Sequence, residues 1–415
     1  MKHFLFVLLF AVLPFSAVAQ TSLEEYCAEV FRHSQTMGIA RAEADAAEAE
    51  MRRARKGFLP SLVLYQDMTY AFRKQGNERR FAWSMRPEIS QTVYGGGVRA
   101  AAKQAEALYG QALSDEQSVD RDVCYEAEVV YWSLSRAESY RRAMADYLLI
   151  VGSLREVVAR RFEEGYTAKG DLLQIESRMS DAEYQYSAAE QEYLVALHNF
   201  NVLRGEDASL SVTLTQSILD TMSMPRRESA EAIIARHPDY KSSLAREEYA
   251  RWGIKLADAR FSPSMSAGVY GVLQPNVPNV KGAGVMAGGG VVFSFTTPIY
   301  HFGERRQAAR SAQSRYEAAQ LQTVELAERI LLDESNQWTR LVNTQKRVDA
   351  VRRNLALAAE NLEISTYSYN EGLSTVLDVL QAQISWLQIY TNAITAQYDY
   401  AVAIAAYRQL TETMP

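Results

Sequence analysis

Residues 81–90, FAWSMRPEIS, alternate without a break: Phe81, Trp83, Met85, Pro87 and Ile89 fall on one side of an extended chain, and Ala82, Ser84, Arg86, Glu88 and Ser90 on the other. Over 62–72 the apolar side carries Leu62, Leu64, Met68, Tyr70 and Phe72, with Gln66 the exception, and over 284–296 Phe293 and Phe295 oppose Ser294 and Thr296. Residues 264–273 alternate more weakly, being small and glycine-rich. These runs predict four strands in two hairpins, 61–92 and 263–297. Elsewhere the pattern is helical, at about 23–57, 98–162, 168–204, 229–261, 304–368 and 375–411. A helix of some 65 residues is about 100 Å long. No compact core needs such a rod, so the two long helices must pack lengthwise. The 35-residue helices, about 50 Å each, would match one long helix when stacked in pairs.

The same plan is written twice. FEEGYTAKGDLLQ at 162–174 returns as YNEGLSTVLDVLQ at 369–381, a spacing of 207. Pro60 answers Pro263 at 203, Tyr94 and Arg99 answer Tyr300 and Arg305 at 206, and Phe200 and Leu203 answer Tyr407 and Leu410 at 207. So small a drift means a tandem repeat with minor loop changes: a first copy over 20–204 and a second over 229–415. The turn-rich segment between them, 205–228, with Leu210, Val212 and Leu214 alternating, is expected to form a belt around the middle of the rods.

Strands near ten residues long match a tilted transmembrane strand. Four of them cannot close a barrel, open sheet edges are not tolerated in lipid, and single-chain barrels begin at about eight strands. Hairpins in a membrane therefore require several chains to pool them. In water the same hairpins would pack on the ends of the helices. Pro87 in mid-strand fits a bulge or an edge best.

Residues 1–19 have the form of an export signal: Lys2, then an apolar run from Phe4 to Val18 broken by Ser16, then Ala17-Val18-Ala19 before Gln20. No lipid-attachment cysteine sits at the cleavage point. After the signal, no apolar run approaches the ~18 residues of a spanning helix. Lys+Arg 44 against Asp+Glu 50 offers no nucleic-acid surface. Cys27 and Cys124 in an export context admit either a disulfide or two small buried thiols. Gly95-Gly96-Gly97 lacks a phosphate-loop continuation and reads as a strand-to-helix bend. The five histidines, His301 at the second bend among them, show no metal spacing. No catalytic constellation is visible, so neither an enzyme nor a cofactor is expected.

Export signal, duplicated helix–hairpin–long helix–turn–helix plan, prolines entering each hairpin and GxxxxxD at each turn together resemble the TolC-type outer-membrane efflux channels. Ser34-Gln35 stands where that family often has Asn-Pro, and His237-Pro238 keeps the closer form. The resemblance covers the whole mature chain. It implies a mostly helical fold with membrane β-structure: a homotrimer whose twelve strands close one barrel in the outer membrane of a Gram-negative bacterium, continued by a long periplasmic α-helical barrel. It implies a passive exit duct, with a periplasmic adaptor protein, an inner-membrane transporter and outer-membrane lipid as partners. Under it, Gly165 and Gly372 end the long helices, Thr167 and Ser374 cap the return helices, and Asp171 and Asp378 fall at a periplasmic constriction. A ring of three Asp378 would favour cations and divalent ions. Gln381 replaces a second acidic ring found in other members, which implies a weaker one here. Tyr367 and Tyr369 would latch the tip shut, and Gly165-Tyr166-Thr167 with Gly372-Leu373-Ser374 would meet the adaptor. Residue chemistry alone gives simpler readings: an acid in a first helical turn is favoured by the helix dipole, and tyrosines at helical spacing pack. The reading from a different class is a pore-less periplasmic coiled-coil scaffold or adaptor.

Overall fold

The computed structural model describes residues 20–70, 72, 81–275 and 284–411. The expected export signal, nearly all of the first hairpin loop and the second hairpin loop lie outside the described residues. In chain order the elements are β1 (Gln20–Thr21), α1 (Leu23–His33), α2 (Gln35–Arg55), β2 (Ser61–Tyr70), β3 (Phe81–Tyr94), α3 (Val98–Glu163), α4 (Lys169–Arg204), β4 (Thr213–Leu214), α5 (Ala230–Arg236), α6 (Pro238–Ala259), β5 (Ser264–Pro275), β6 (Val285–Thr296), α7 (Glu304–Asn370) and α8 (Val376–Thr411). None of the described helices is long and apolar enough to cross a membrane.

Each opening helix, expected as one piece at 23–57 and 229–261, is in fact two. Pro238 at the first helical position holds His237 extended, at ψ 123°, and so divides α5 from α6. Ser34 breaks the first copy likewise, at ψ 116°, with no proline to demand it. Both breaks follow a serine-capped start. Ser22 and Glu25 form a reciprocal capping box, and the Ser229 hydroxyl accepts from the Ala232 amide.

The chain divides into two compact units. One comprises the described part of Met1–Gln35, Asp120–Arg227 and Glu334–Met414, and therefore holds α1, α4, α8 and the C-terminal stretches of α3 and α7. Its aromatic contacts recur at the repeat spacing. Tyr131 of α3 lies 6.2 Å, ring to ring, from Phe200 of α4, and Trp338 of α7 lies 5.4 Å from Tyr407 of α8. Tyr26 of α1 stacks on Phe200 at 3.9 Å and donates its hydroxyl to the Phe200 carbonyl at 3.1 Å, anchoring the N-terminal helix in a fully buried aromatic nest. In the segment after α4, β4 pairs parallel with β1, Ile218 is buried and its amide donates to the Ser135 hydroxyl at 2.7 Å. Met222 and Met224 pack on the cluster of Leu341, Val348, Tyr400 and Tyr407. Arg227 grips buried Glu334 through two 2.9 Å hydrogen bonds.

The other unit, Thr36–Val119 and Glu228–Asp333 in its described part, carries the sheet. Its four strands run β2-β3-β5-β6, every neighbour antiparallel, and the outer edges of β2 and β6 pair with no other described strand. The register explains the alternation. Leu62 faces Ile89, Met68 faces Trp83, Ile89 faces Val269, Val269 faces Val291 and Met265 faces Phe295. Period-two side-chain alternation then puts all of them on one side, making an apolar surface continuous across four strands. Leu62, Met68, Val269, Val291, Phe293 and Phe295 are exposed on it. The opposite side carries Ser84 bonded to Asp67, Arg86 paired with Glu88, and the Arg86 guanidinium over the Tyr270 ring. Pro87 sits not at an edge but between two strands. The β3–β5 pairing passes from Met85–Leu273 directly to Glu88–Tyr270, as the missing amide hydrogen requires, and the proline ring lies over Gly271. At the bend into α3, Gly95, Gly96 and Gly97 all take positive φ.

Candidate functional site

Both long helices end in the same way. After α3, Tyr166 N–H donates to the Arg161 carbonyl and Gly165 N–H to that of Phe162; after α7, Leu373 donates to Ser368 and Gly372 to Tyr369. This paired closure requires a left-handed residue, and Gly165 (φ 79°) and Gly372 (φ 77°) supply it. Tyr166 and Leu373 project into solvent at equivalent places, 80% and 79% exposed.

The return helices begin differently from one another, and neither begins as expected. In the second turn the cap is Thr375, not Ser374. The Thr375 hydroxyl accepts from the Asp378 amide at 3.4 Å, and the Asp378 carboxylate accepts from the Thr375 amide at 2.9 Å and hydroxyl at 2.7 Å. Ser374 is half-buried, its hydroxyl without a hydrogen-bond partner. In the first turn the cap position is held by Ala168, whose methyl group cannot accept a hydrogen bond, and Thr167 instead donates to the Asp171 carboxylate at 2.6 Å. A hydroxyl can close a capping box only one position before the first helical residue. T-x-x-D at Thr375–Asp378 was thus the available sequence signal.

The hydrogen bonds from Thr375 hold the Asp378 carboxyl below the usual aspartate range. Because the folded value is depressed, the cap contributes its stability at neutral pH and loses it as pH falls through the folded value, below 3.8. Pepsin cleavage beside Leu373 and Leu377 is expected to accelerate over that range in the wild type. Thr375→Ala should be cleaved readily above it, and equal pH profiles for the two proteins would refute the cap.

One buried cluster gathers both turns. Tyr147, Val151, Leu154 and Val158 of α3 meet Ile175 and Ala182 of α4, Tyr369 of α7 and Val376, Val379 and Leu380 of α8. Tyr369 is therefore core, only 4% exposed, with the Arg161 guanidinium 4.6 Å from its ring centre. Burial pushes its hydroxyl above the usual tyrosine range, against the nearby Arg161 charge. Arg161 also donates to the Asn370 carbonyl at 2.7 Å, fastening the first turn to the second. Nothing in the sequence singled out Arg161. Tyr367, by contrast, is exposed.

Asp378 and Gln381 are exposed at the start of a longer feature. Asp378, Gln381, Ser385, Gln388, Asn392, Thr395 and Asp399 recur at alternating steps of three and four along α8, every one polar and every one exposed or half-buried. That is a strict heptad stripe on one helix face. The positions between them, such as Val379, Ala382, Gln383, Ala393 and Ile394, are buried. Asp171 is half-buried at the start of α4. Among the described residues, no three or more histidine, cysteine or acidic side chains are grouped as a metal ion would need.

A model of the family described as outer membrane efflux protein matches residues 29–206 and again 230–412. The outer membrane protein TolC of Vibrio cholerae is similar at 23% identity over 406 residues, covering 94% of this chain and 91% of its own. Among solved structures, the outer membrane protein VceC of Vibrio cholerae superposes with a TM-score of 0.78 at 18% identity, covering 94% of this chain and 95% of its own. CusC, solved in a study of transmembrane channel formation, superposes with a TM-score of 0.82 at 15% identity, covering 95% and 93%.

Proposed function

Because the chain belongs to the outer membrane efflux protein family, we propose that it is the outer-membrane exit duct of a tripartite system, passively conducting substrates handed over by an inner-membrane transporter and a periplasmic adaptor. The observation that carries this reading is the sheet. Its four strands have one continuous apolar face and two unpaired edges. Lipid tolerates the apolar face and not the edges. Three copies joining β6 of one chain to β2 of the next would close a barrel of twelve strands, leave no edge, and turn the Arg86–Glu88 side inward to water.

The same threefold arrangement gives the helices a role. The α8 stripe from Asp378 to Asp399 faces the lumen and wets it, while the flanking buried positions seal helix against helix. Asp378 and Gln381 stand at its tip end, so three Asp378 carboxylates form the acidic constriction, with Gln381 as a neutral second ring and Asp171 behind it. Tyr367 of one chain reaches the next. The exposed turn residues Tyr166 and Leu373, beside Gly165, Thr167, Gly372 and Ser374, receive the adaptor. The two copies remain distinct within each chain, 20–204 and 229–415, joined by 205–228.

Single-channel recording of the purified mature protein in a planar bilayer tests the duct. Uniform, cation-selective steps are expected. Under a salt gradient, Asp378→Asn should move the reversal potential toward zero and weaken divalent block, with a smaller effect from Asp171→Asn. An unchanged reversal potential would remove Asp378 from the constriction. A protein that stays soluble without detergent and never inserts would instead be a pore-less scaffold.

A further inference from the structure

We propose that Cys27 and Cys124 are joined by a disulfide in the exported protein, stapling α1 to α3. The two helices lie side by side in one compact unit. Tyr26 of α1 is 6.0 Å from Tyr131 of α3, ring to ring, and the Tyr131 hydroxyl donates to the Thr21 carbonyl at 3.3 Å. Cys27 follows Tyr26, and Cys124 precedes Tyr131 by seven residues, two turns along the same face of α3. Packing α1 on that face sets the Cys27 and Cys124 side chains against each other, with Glu128 one turn on from Cys124 and the Arg408 guanidinium of α8 beside it at 3.8 Å. Both cysteines are half-buried thiols. They are also the two cysteines of the entire chain, so no alternative intramolecular pairing competes.

The compartment supplies the driving force. An outer-membrane protein crosses an oxidising space in which paired thiols become disulfides. The required oxidant is a disulfide-bearing thiol oxidant of that space. One cysteine, as thiolate, attacks the oxidant's disulfide, forms a mixed disulfide and expels one oxidant thiolate. The second thiolate then attacks the chain's own sulfur in the mixed disulfide, forming the Cys27–Cys124 bond and expelling the other oxidant thiolate. Two electrons pass to the oxidant, and the two thiol protons end on its released sulfurs. The adjoining Cys124 thiol and burial raise Cys27 above its ordinary ionisation range. The closed loop, roughly a hundred residues, contains the whole first hairpin, so the bond removes much freedom from the unfolded chain.

The test uses full-length protein purified from outer membranes, quenched in acid, denatured, and treated with N-ethylmaleimide before intact-mass measurement. The expected result is no adduct without reductant and two adducts after reduction, with a peptide map linking the segments around Cys27 and Cys124. Two adducts before reduction, or a mass gain from a small-thiol mixed disulfide, would overturn the proposal. Cys27→Ser and Cys124→Ser should each show one adduct before reduction. Reductant should lower the unfolding midpoint of the wild type and leave that of Cys27→Ser unmoved. None of these readouts depends on whether the chain conducts.

Discussion

Val291→Arg is expected to abolish recovery of the assembled protein from outer membranes, while Ser294→Arg three residues away leaves it largely intact. Val291 is 64% exposed on β6 and faces Val269 in the register, near the middle of the apolar surface. Arginine at the bilayer midplane of a membrane barrel costs about 2–4 kcal/mol, and the proposed threefold assembly would meet that cost at three places. Ser294 faces Ser266 on the side carrying Arg86 and Glu88, where in the proposed barrel a further charge would meet water. Fractionation with and without detergent, followed by trimer detection on unheated gels, separates the two. If Val291→Arg assembled and conducted like the wild type, the apolar surface would not face lipid. That result would also revive the scaffold reading.

A single added methyl group at Gly95 is expected to be nearly as damaging. Gly95 has φ +82°, and a β-carbon there would stand 2.3 Å from the Pro263 carbonyl oxygen and 2.8 Å from the Ser264 α-carbon. Both obstacles are backbone at the entry to β5, so no rotamer change relieves them. A left-handed non-glycine residue costs roughly 1–2 kcal/mol and overpacking typically about 1–3 kcal/mol more. Gly95→Ala should therefore separate the strand-to-helix bend from β5 and sharply reduce assembly. Gly96→Ala, at φ +64° with its nearest neighbour 3.5 Å away, bears the conformational cost without the clash and should assemble with a modestly lower unfolding temperature. Equal behaviour of the two variants would show that backbone conformation, not the approach of Pro263, fixes this bend.

The strands were legible because their signal is local. A side chain's face in a strand depends on parity alone, so FAWSMRPEIS announced its two sides before any partner was known. The mostly helical class and the long helices were legible for a similar reason, since uninterrupted helical patterning over more than sixty residues leaves few alternatives. The breaks were harder. Pro238 carried a visible signal for the α5–α6 division, whereas the break at Ser34 has no local residue that enforces it. The candidate site was legible at its glycines and not at its caps. Thr375 and Ser374 are chemically equivalent as caps, and the exact start of α8 chose between them.

Tyr367 and Tyr369 show the same limit more sharply. They are two residues apart on one helix, yet one is exposed and the other lies in the cluster joining four helices. Their sequence context does not distinguish them, because burial is set by surfaces of α3, α4 and α8 that are distant along the chain.

By itself, then, the sequence determined the alternating faces of the strands, the length of the helices, the glycine turns and the repeat spacing, all of which follow from dihedral preference and periodicity over short stretches. Tertiary structure alone decided that Pro87 lies over Gly271, that Arg161 fastens one turn to the other, and that Cys27 meets Cys124. Those contacts join residues from tens to more than two hundred positions apart, and only the packing of whole helices and strands, driven by burial of their apolar faces, selects which distant side chains come to share a place.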